Sequence, residues 1–486
     1  MRKNLLFILM LLIGLNAFSE IVPIETARKV AKNFFFERKN AIKPISIDGI
    51  NISQEFVIND NNTPIYYIFN MSLNQGYIII SAESNTIPVL AYSLEQNYFA
   101  ENTPPAFDWI LKSYKEEILY TREKELQANE NIINFWANYL NTNKSASNVA
   151  QVLPLLGSLS WDQGCYYNAL TPANTDPAYC NHNPTGCVAT AMAMIMKYHA
   201  WPLQGVGSYS YDHSTANQFL HNYGTLSANF ATATYNWTSM PISVTSSNAE
   251  VAKIMYHCGV AVEMSYDLNG SGAVVGAAGN YPWPTAQKAF VNNFKYSTAA
   301  YFQKSAFTDA NWKTKIKTEL DAARPILYAG DDGSAGHAFV LDGYQGTTND
   351  YYHFNFGWGG YANGNFYISN INPNPGGTGG GSYNFTQNQE GIFGIKKNST
   401  GIEQNELQSI DIYPNPGNGL FNINLTEIKA NKIQAEVYNI VGEKVWEKSI
   451  TNQSNILNLT ELSKGIYYLS FKSDKNTITK KITIVK

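Results

Sequence analysis

Residues 184–201, PTGCVATAMAMIMKYHAW, decide how the chain is read. Pro184-Thr185-Gly186 breaks the backbone, and a nearly all-apolar, helix-forming run then starts at Cys187. A helix that is apolar all round belongs in a core. A thiol at its first residue sits beside unpaired backbone N–H groups and the positive end of the helix dipole. Both favour thiolate, the form that acts as nucleophile. The Cys187 N–H is also placed to face a developing oxyanion. The same pattern fits a core helix that merely begins with cysteine, so a partner base has to decide between the two.

Seven histidines are candidates: His182, His199, His213, His221, His257, His337 and His353. His199 lies at the far end of the same helix, about 18 Å along its axis, too far to pair. His257 shares an apolar helical pattern with Val251, Ile254, Met255, Cys258 and Val260, and is expected to be structural. His182, His213 and His221 fall in polar stretches. His337 follows Gly333-Ser334-Ala335-Gly336 and opens the strand-like HAFVLDGY, residues 337–344. The Gly-rich approach leaves room for a substrate backbone beside the imidazole. A base also needs an orienting partner. YYHFNFGW, residues 351–358, supplies Asn355 to accept from the ring and Trp358 to shield that bond from water. No C-x-x-C, H-E-x-x-H or H-x-x-x-H spacing occurs, so neither a metal nor another cofactor is expected.

At 486 residues the chain is too long for one core. It is 44% hydrophobic, 15% charged and rich in tyrosine, which favours a β-rich globular protein. A net charge of −4 with no basic run speaks against a nucleic-acid partner. Arg2 and Lys3, the apolar run Leu5 to Leu15 and Ala17-Phe18-Ser19 form a secretory signal, expected to be cut before Glu20. Residues 20–150 follow as an α+β segment. It has an amphipathic helix over Thr26–Arg38, strands PIYYIFNM and GYIIISA, and a helical stretch from Phe107 to about Tyr139. The polar patch NTNKSASN, residues 141–148, is an exposed linker suited to proteolytic nicking.

Residues 151–397 carry the helix at Cys187 and then the strands PILYAG, HAFVLDGY, YYHFNFGW, NFYISNI and GIFGIKK, with a Gly-rich loop over 372–385. A polar linker at 398–406 leads into residues 407–486. There, about seven short alternating strands predict a small all-β sandwich without catalytic residues. Export makes disulfides possible. With Cys187 free, the pair expected to bridge is Cys165 and Cys180, which flank a loop rich in Tyr, Asn and Pro. Cys258 is expected to be a buried small hydrophobe.

From Leu153 to Lys397 the chain resembles the streptopain family of papain-like cysteine peptidases. The motifs occur in the family's order: SWDQG, TGCVATAMAMIMKYHAWP, GHAFVLDGY, HFNFGWGG and GGTGGGSYNF. The resemblance implies an α+β catalytic domain with a helical part and an antiparallel β part. It implies that Cys187 attacks the scissile carbonyl and His337 shuttles the proton. Gln163 is implied as the side-chain donor of the oxyanion hole, and Asn355 and Trp358 as the residues that position His337. Ser271 and Gly336 are implied as substrate contacts, with peptide substrates that often carry a hydrophobic residue at P2. Phe356 stands where the family often has tryptophan.

The segment 20–150, through IPVLAYSLEQNYF and the helix after it, resembles the family's inhibitory propeptide. That likeness implies an intramolecular inhibitor that covers the cleft side, displaces the catalytic histidine, and is cut away near 141–151. The last segment, through IDIYPNPGNGLFNI, VYNIVGEKV, LSKGIYYL and KKITIVK, resembles type IX secretion sorting domains. It implies handling by outer-membrane secretion machinery, with export through the periplasm to the cell surface or beyond. The alternative is a non-catalytic surface-binding protein on the same fold. Retention of both Cys187 and His337 argues against it.

Overall fold

The computed structural model describes residues 20–101, 103–141, 150–331, 336–346, 350–368, 388–398, 412–423, 433–450, 456–472 and 477–485. The expected signal, the core of the 141–151 linker and the Gly-rich loop lie outside the described residues. The chain divides into two compact units, residues 1–398 and 399–486.

The first unit opens with α1 (Ile24–Ile42), which buries Ala27, Val30, Ala31, Phe34, Phe35 and Arg38 along one side. Those positions follow the spacing of an amphipathic helix. Four antiparallel strands follow: β1 (Ile52–Asp60), β2 (Thr63–Met71), β3 (Tyr77–Ser81) and β4 (Val89–Ser93). The single helical stretch expected from Phe107 to Tyr139 is two helices, α2 (Pro105–Glu123) and α3 (Glu130–Leu140). Two local features make the break. Glu125 takes a left-handed conformation, and the Asn129 side chain accepts from the Ile132 N–H to start a new helix.

The remaining chain forms β5 (Gln151–Val152), α4 (Cys187–His199), a hairpin of β6 (Ser208–His213) and β7 (Gly224–Asn229), α5 (Ala249–Ala261) and α6 (Ala286–Asn292). It continues through β8 (Tyr296–Gln303), α7 (Asp309–Asp321), β9 (Ile326–Asp331), β10 (Gly336–Gln345), β11 (Tyr351–Asn355), β12 (Gly364–Phe366) and β13 (Glu390–Lys397). One sheet spans both segments, in the order β1-β2-β3-β4-β12-β11-β10-β9-β13-β8, with β5 pairing β10. The join is antiparallel, through Tyr92↔Asn365 and Ala91↔Phe366. An otherwise open strand edge is thereby covered.

The two faces of this sheet serve different purposes. One face, with Tyr328, Phe339, Phe354 and Phe366, merges with the core of the N-terminal segment. The other, with Leu327, Ala329, Ala338 and Val340, packs on α4, α5 and α6. Val188 through Met196 of α4 are all buried. Each large apolar side chain so buried is worth roughly 1.5–3 kcal/mol, which anchors the helix that carries Cys187.

The described residues of the second unit form seven strands: β14 (Ile412–Tyr413), β15 (Leu420–Ile423), β16 (Ile433–Tyr438), β17 (Lys444–Ile450), β18 (Ile456–Asn458), β19 (Gly465–Lys472) and β20 (Thr477–Ile484). They form sheets β14-β15-β18 and β17-β16-β19-β20. Phe421, Ile423 and Leu457 of the first share a core with Val437, Leu469, Phe471 and Ile482 of the second. This is the expected sandwich.

Candidate active site

Gly186 precedes α4 with φ +86°, a conformation that disfavours any side chain. A Cβ there would also lie 2.5 Å from the Met264 sulfur and 2.9 Å from the Ser271 carbonyl oxygen. The chain can therefore turn tightly into the helix, and Cys187 becomes its first residue. Cys187 is half-buried in the wall of a cleft of about 640 Å³. Burial pushes its thiol up, but the His337 charge, a hydrogen bond from His337, and the N–H groups of Ala338 and Val188 outweigh it. The net position is below the ordinary thiol value. Cys258, by contrast, is wholly buried and pushed far up, so its thiol stays protonated.

His337 enters at the start of β10 and is 6% exposed. Its Nε2 meets the Phe356 carbonyl oxygen at 3.2 Å. A carbonyl can only accept, so Nε2 carries the proton and Nδ1 is left for Cys187. The expected Asn355 hydrogen bond to the ring is thus replaced by a backbone one. Asn355 instead donates to the Leu159 carbonyl at 2.7 Å and accepts from the Gly357 N–H at 3.1 Å. It fixes the turn at the end of β11, and through that turn the Phe356 carbonyl. Gly357 (φ +69°) brings this turn against α4, where a Cβ would sit 2.9 Å from Thr190 Cγ2. Trp358 lines the cleft, and its buried indole N–H makes no hydrogen bond within the described residues.

Gln163 also lines the cleft. Its carbonyl accepts from the Thr185 N–H at 3.0 Å, which ties it to the segment just before Cys187. Neighbouring Asp162 accepts from the N–H groups of Gln163 and Gly164, at 2.5 and 3.3 Å, and shapes that loop. Gly336 is exposed on the rim. Ser271 reaches the cleft, but its side chain is committed: the hydroxyl donates to the Pro184 carbonyl at 2.7 Å. It braces the approach to Cys187. Cys165 and Cys180 are bridged, with Cα atoms 5.3 Å apart, beside cleft residue Tyr179.

Pro105 and Trp109 of α2 form part of the cleft wall. With the N-terminal segment docked, His337 shares this cleft with Cys187 and its charge lowers the thiol. The other histidines have separate duties. His199 and His257 pair with Tyr296 and Tyr235, and burial lowers each to about 4. His353 lies between Asp342 (2.5 Å) and Glu95 (2.6 Å), an arrangement the sequence reading missed. Glu95 lies 258 residues from His353, and the three form no motif. The roles of the Phe356 carbonyl and the Ala338 N–H were equally hidden, since backbone groups carry no residue signature. Among the described residues no cluster of three or more His, Cys, Asp or Glu is arranged to hold a metal, and no helix is long and apolar enough to cross a membrane.

Residues 161–367 match the peptidase C10 family, residues 19–118 the Spi protease inhibitor family, and residues 411–485 the secretion system C-terminal sorting domain. The chain is 32% identical over 389 residues to the thiol protease/hemagglutinin PrtT of Porphyromonas gingivalis, covering 76% of this chain but 41% of that protein. It is 30% identical over 423 residues to streptopain of Streptococcus pyogenes, covering 81% of this chain and 99% of streptopain. Among solved structures it is similar to a prointerpain A fragment from Prevotella intermedia. That match has TM-score 0.55 and 29% identity, over 71% of this chain and 99% of the fragment. The sorting-domain match marks a protein secreted or held at the cell surface. With a thiol and imidazole paired in the cleft and streptopain matched over nearly its whole length, the chain belongs to the peptidase C10 family of thiol proteases.

Proposed function

We propose that the protein is a secreted cysteine endopeptidase made as a zymogen, with Cys187 as nucleophile and His337 as proton shuttle. The observation that carries this reading is Cys187 as the first residue of a buried helix, facing the same cleft as His337, whose charge depresses the thiol. The thiolate attacks the scissile carbonyl and forms a tetrahedral oxyanion. The Cys187 N–H, unpaired at the helix start, and the Gln163 side-chain amide stabilise that oxyanion. His337 donates its proton to the leaving amine, and an acyl-enzyme remains. A water then enters, His337 takes its proton, and the acid is released. Latency follows from α2, whose Pro105 and Trp109 form part of the wall of the cleft that holds Cys187 and His337.

The test is cleavage of casein and a fluorogenic peptide under reducing conditions, before and after removal of the N-terminal segment, with Cys187→Ala as control. Activity that appears on removal and vanishes in the variant is expected. Undiminished cleavage by the variant would sink the mechanism.

A further inference from the structure

The Cys165–Cys180 bridge stands beside the side chain assigned above to the oxyanion. Cys165 follows Gln163 by two residues, and Cys180 follows Tyr179, which lines the same cleft as Gln163 and Cys187. The bridge joins positions 15 apart in sequence. Between them the chain has little regular structure, a single helical turn at Pro177–Tyr179. Cys165 is half-buried and Cys180 is exposed, so a small reductant can reach the bond.

Gln163 is fixed through its backbone. Its N–H donates to Asp162 Oδ1, and its carbonyl accepts from the Thr185 N–H. The next residue, Gly164, is where the bridged loop grips this segment. Its carbonyl accepts from the N–H groups of Tyr167 and Asn168, both at 3.1 Å. The Tyr179 ring lies against it, 3.7 Å from where a Cβ would stand. The buried Asn168 side chain donates to the Tyr179 carbonyl at 2.8 Å and to the His182 carbonyl at 3.1 Å. These contacts tie residues 164–168 to residues 179–182, and the disulfide spans the same gap covalently. Pro184, Thr185 and Gly186 then lead into Cys187. The bridged loop therefore couples the segment that carries Gln163 to the segment that delivers the nucleophile.

We propose that the Cys165–Cys180 bridge positions Gln163 for the oxyanion, so that a strong dithiol, although it keeps Cys187 reduced, lowers turnover by opening the bridge. In that step the dithiol is oxidised to its own disulfide. Its two electrons and two protons convert the bridge into the Cys165 and Cys180 thiols. Tyr179 is then no longer clamped on Gly164, and the Gln163 amide loses its fixed place, while Cys187 and His337 keep theirs. This deepens the cysteine peptidase reading and rests on it.

The test compares the processed full-length enzyme with a Cys165→Ser/Cys180→Ser double variant. Both are assayed on one fluorogenic peptide under a mild monothiol, with kcat referred to active sites titrated by an irreversible thiol-directed inhibitor. The double variant should lose about tenfold in kcat with KM little changed, since the misplaced donor acts mainly in the transition state. In a Gln163→Ala background the same double change should cost less than about twofold, because the group it positions is already gone. If the double variant does not fold, the wild type is titrated with dithiothreitol. Its kcat should then fall in step with the fraction of bridge reduced, read by mass spectrometry. Equal kcat per active site with the bridge open and closed, or the same loss in the Gln163→Ala background, overturns the inference and leaves the peptidase reading intact. Absence of cleavage by the bridged wild type, or cleavage retained by Cys187→Ala, overturns the peptidase reading and the inference together.

Discussion

Cys187 gains its chemistry from groups of two kinds, and only one kind is visible in sequence. Its helix-start position and the His337 side chain follow from PTGCVATA and GHAFVLDGY. The Ala338 N–H on the sulfur and the Phe356 carbonyl on the imidazole come from backbone that any residue could supply. Asn355 shows the consequence: in place of the expected ring contact, its side chain bonds backbone groups one peptide away from the Phe356 carbonyl. Two predictions belong here. Gln163→Ala should lower kcat by about 10²–10³-fold with a much smaller change in KM, since its amide is worth most to the transition-state oxyanion. Steady-state kinetics on one peptide checks it. The pH profile of kcat/KM should be bell-shaped, with values that belong to the coupled pair. Thiolate is required and the Cys187 thiol is depressed, so activity is gained, as pH rises, below the ordinary thiol range. An acid limb in the ordinary thiol range would show that His337 does not stabilise the thiolate.

The elements that hold these groups were legible to different degrees. Long periodic segments such as α1, α4 and β10 announce themselves through spacing. The break between α2 and α3 turns on one capping asparagine and one left-handed residue, signals too small to compete with a continuous helical composition. The shortest helices and the pairing of β4 with β12 were likewise silent, since strand partners far apart in sequence leave no local trace. The helix α4 yields a prediction of its own. Its start depends on Gly186 at φ +86°, against the Met264 sulfur and the Ser271 carbonyl. Gly186→Ala must move that turn, and a displacement near 1 Å at a reacting atom costs about 10²-fold in rate. The expected outcome is a loss of that size in kcat/KM, with unfolding free energy lowered by about 1–3 kcal/mol for a side chain in a sparsely populated backbone region. Peptide kinetics and urea unfolding on the same preparation check the two effects separately.

At the scale of the whole first unit, the N-terminal segment is held on the peptidase segment by more than the shared sheet. His353 on β11 bonds Asp342 of β10 through Nδ1 and Glu95, just beyond β4, through Nε2. Asp342 also accepts from the Leu156 N–H at 2.9 Å, close after the linker expected to be cut. The imidazole therefore joins the inhibitor-like segment, the catalytic sheet and the chain leading into the peptidase segment. Burial pushes His353 down, but the Asp342 and Glu95 charges and their hydrogen bonds outweigh it, and the ring is raised to about 10. A folded-state value above the unfolded one of about 6.5 means the stabilisation is complete below that pH. It is lost as pH rises through about 10. Docking of the N-terminal segment should accordingly weaken over that window. In a Cys187→Ala background, which prevents self-cleavage, Glu95→Gln should lower the unfolding free energy near pH 6 by about 1–2 kcal/mol, a value discounted for the partial exposure of Glu95. The same change should flatten the decline of thermal stability between pH 6.5 and pH 10. Calorimetry of both proteins across that range checks it: identical slopes would mean that Glu95 does not sense the charge on His353, and that the segment is held by strand pairing and apolar burial alone.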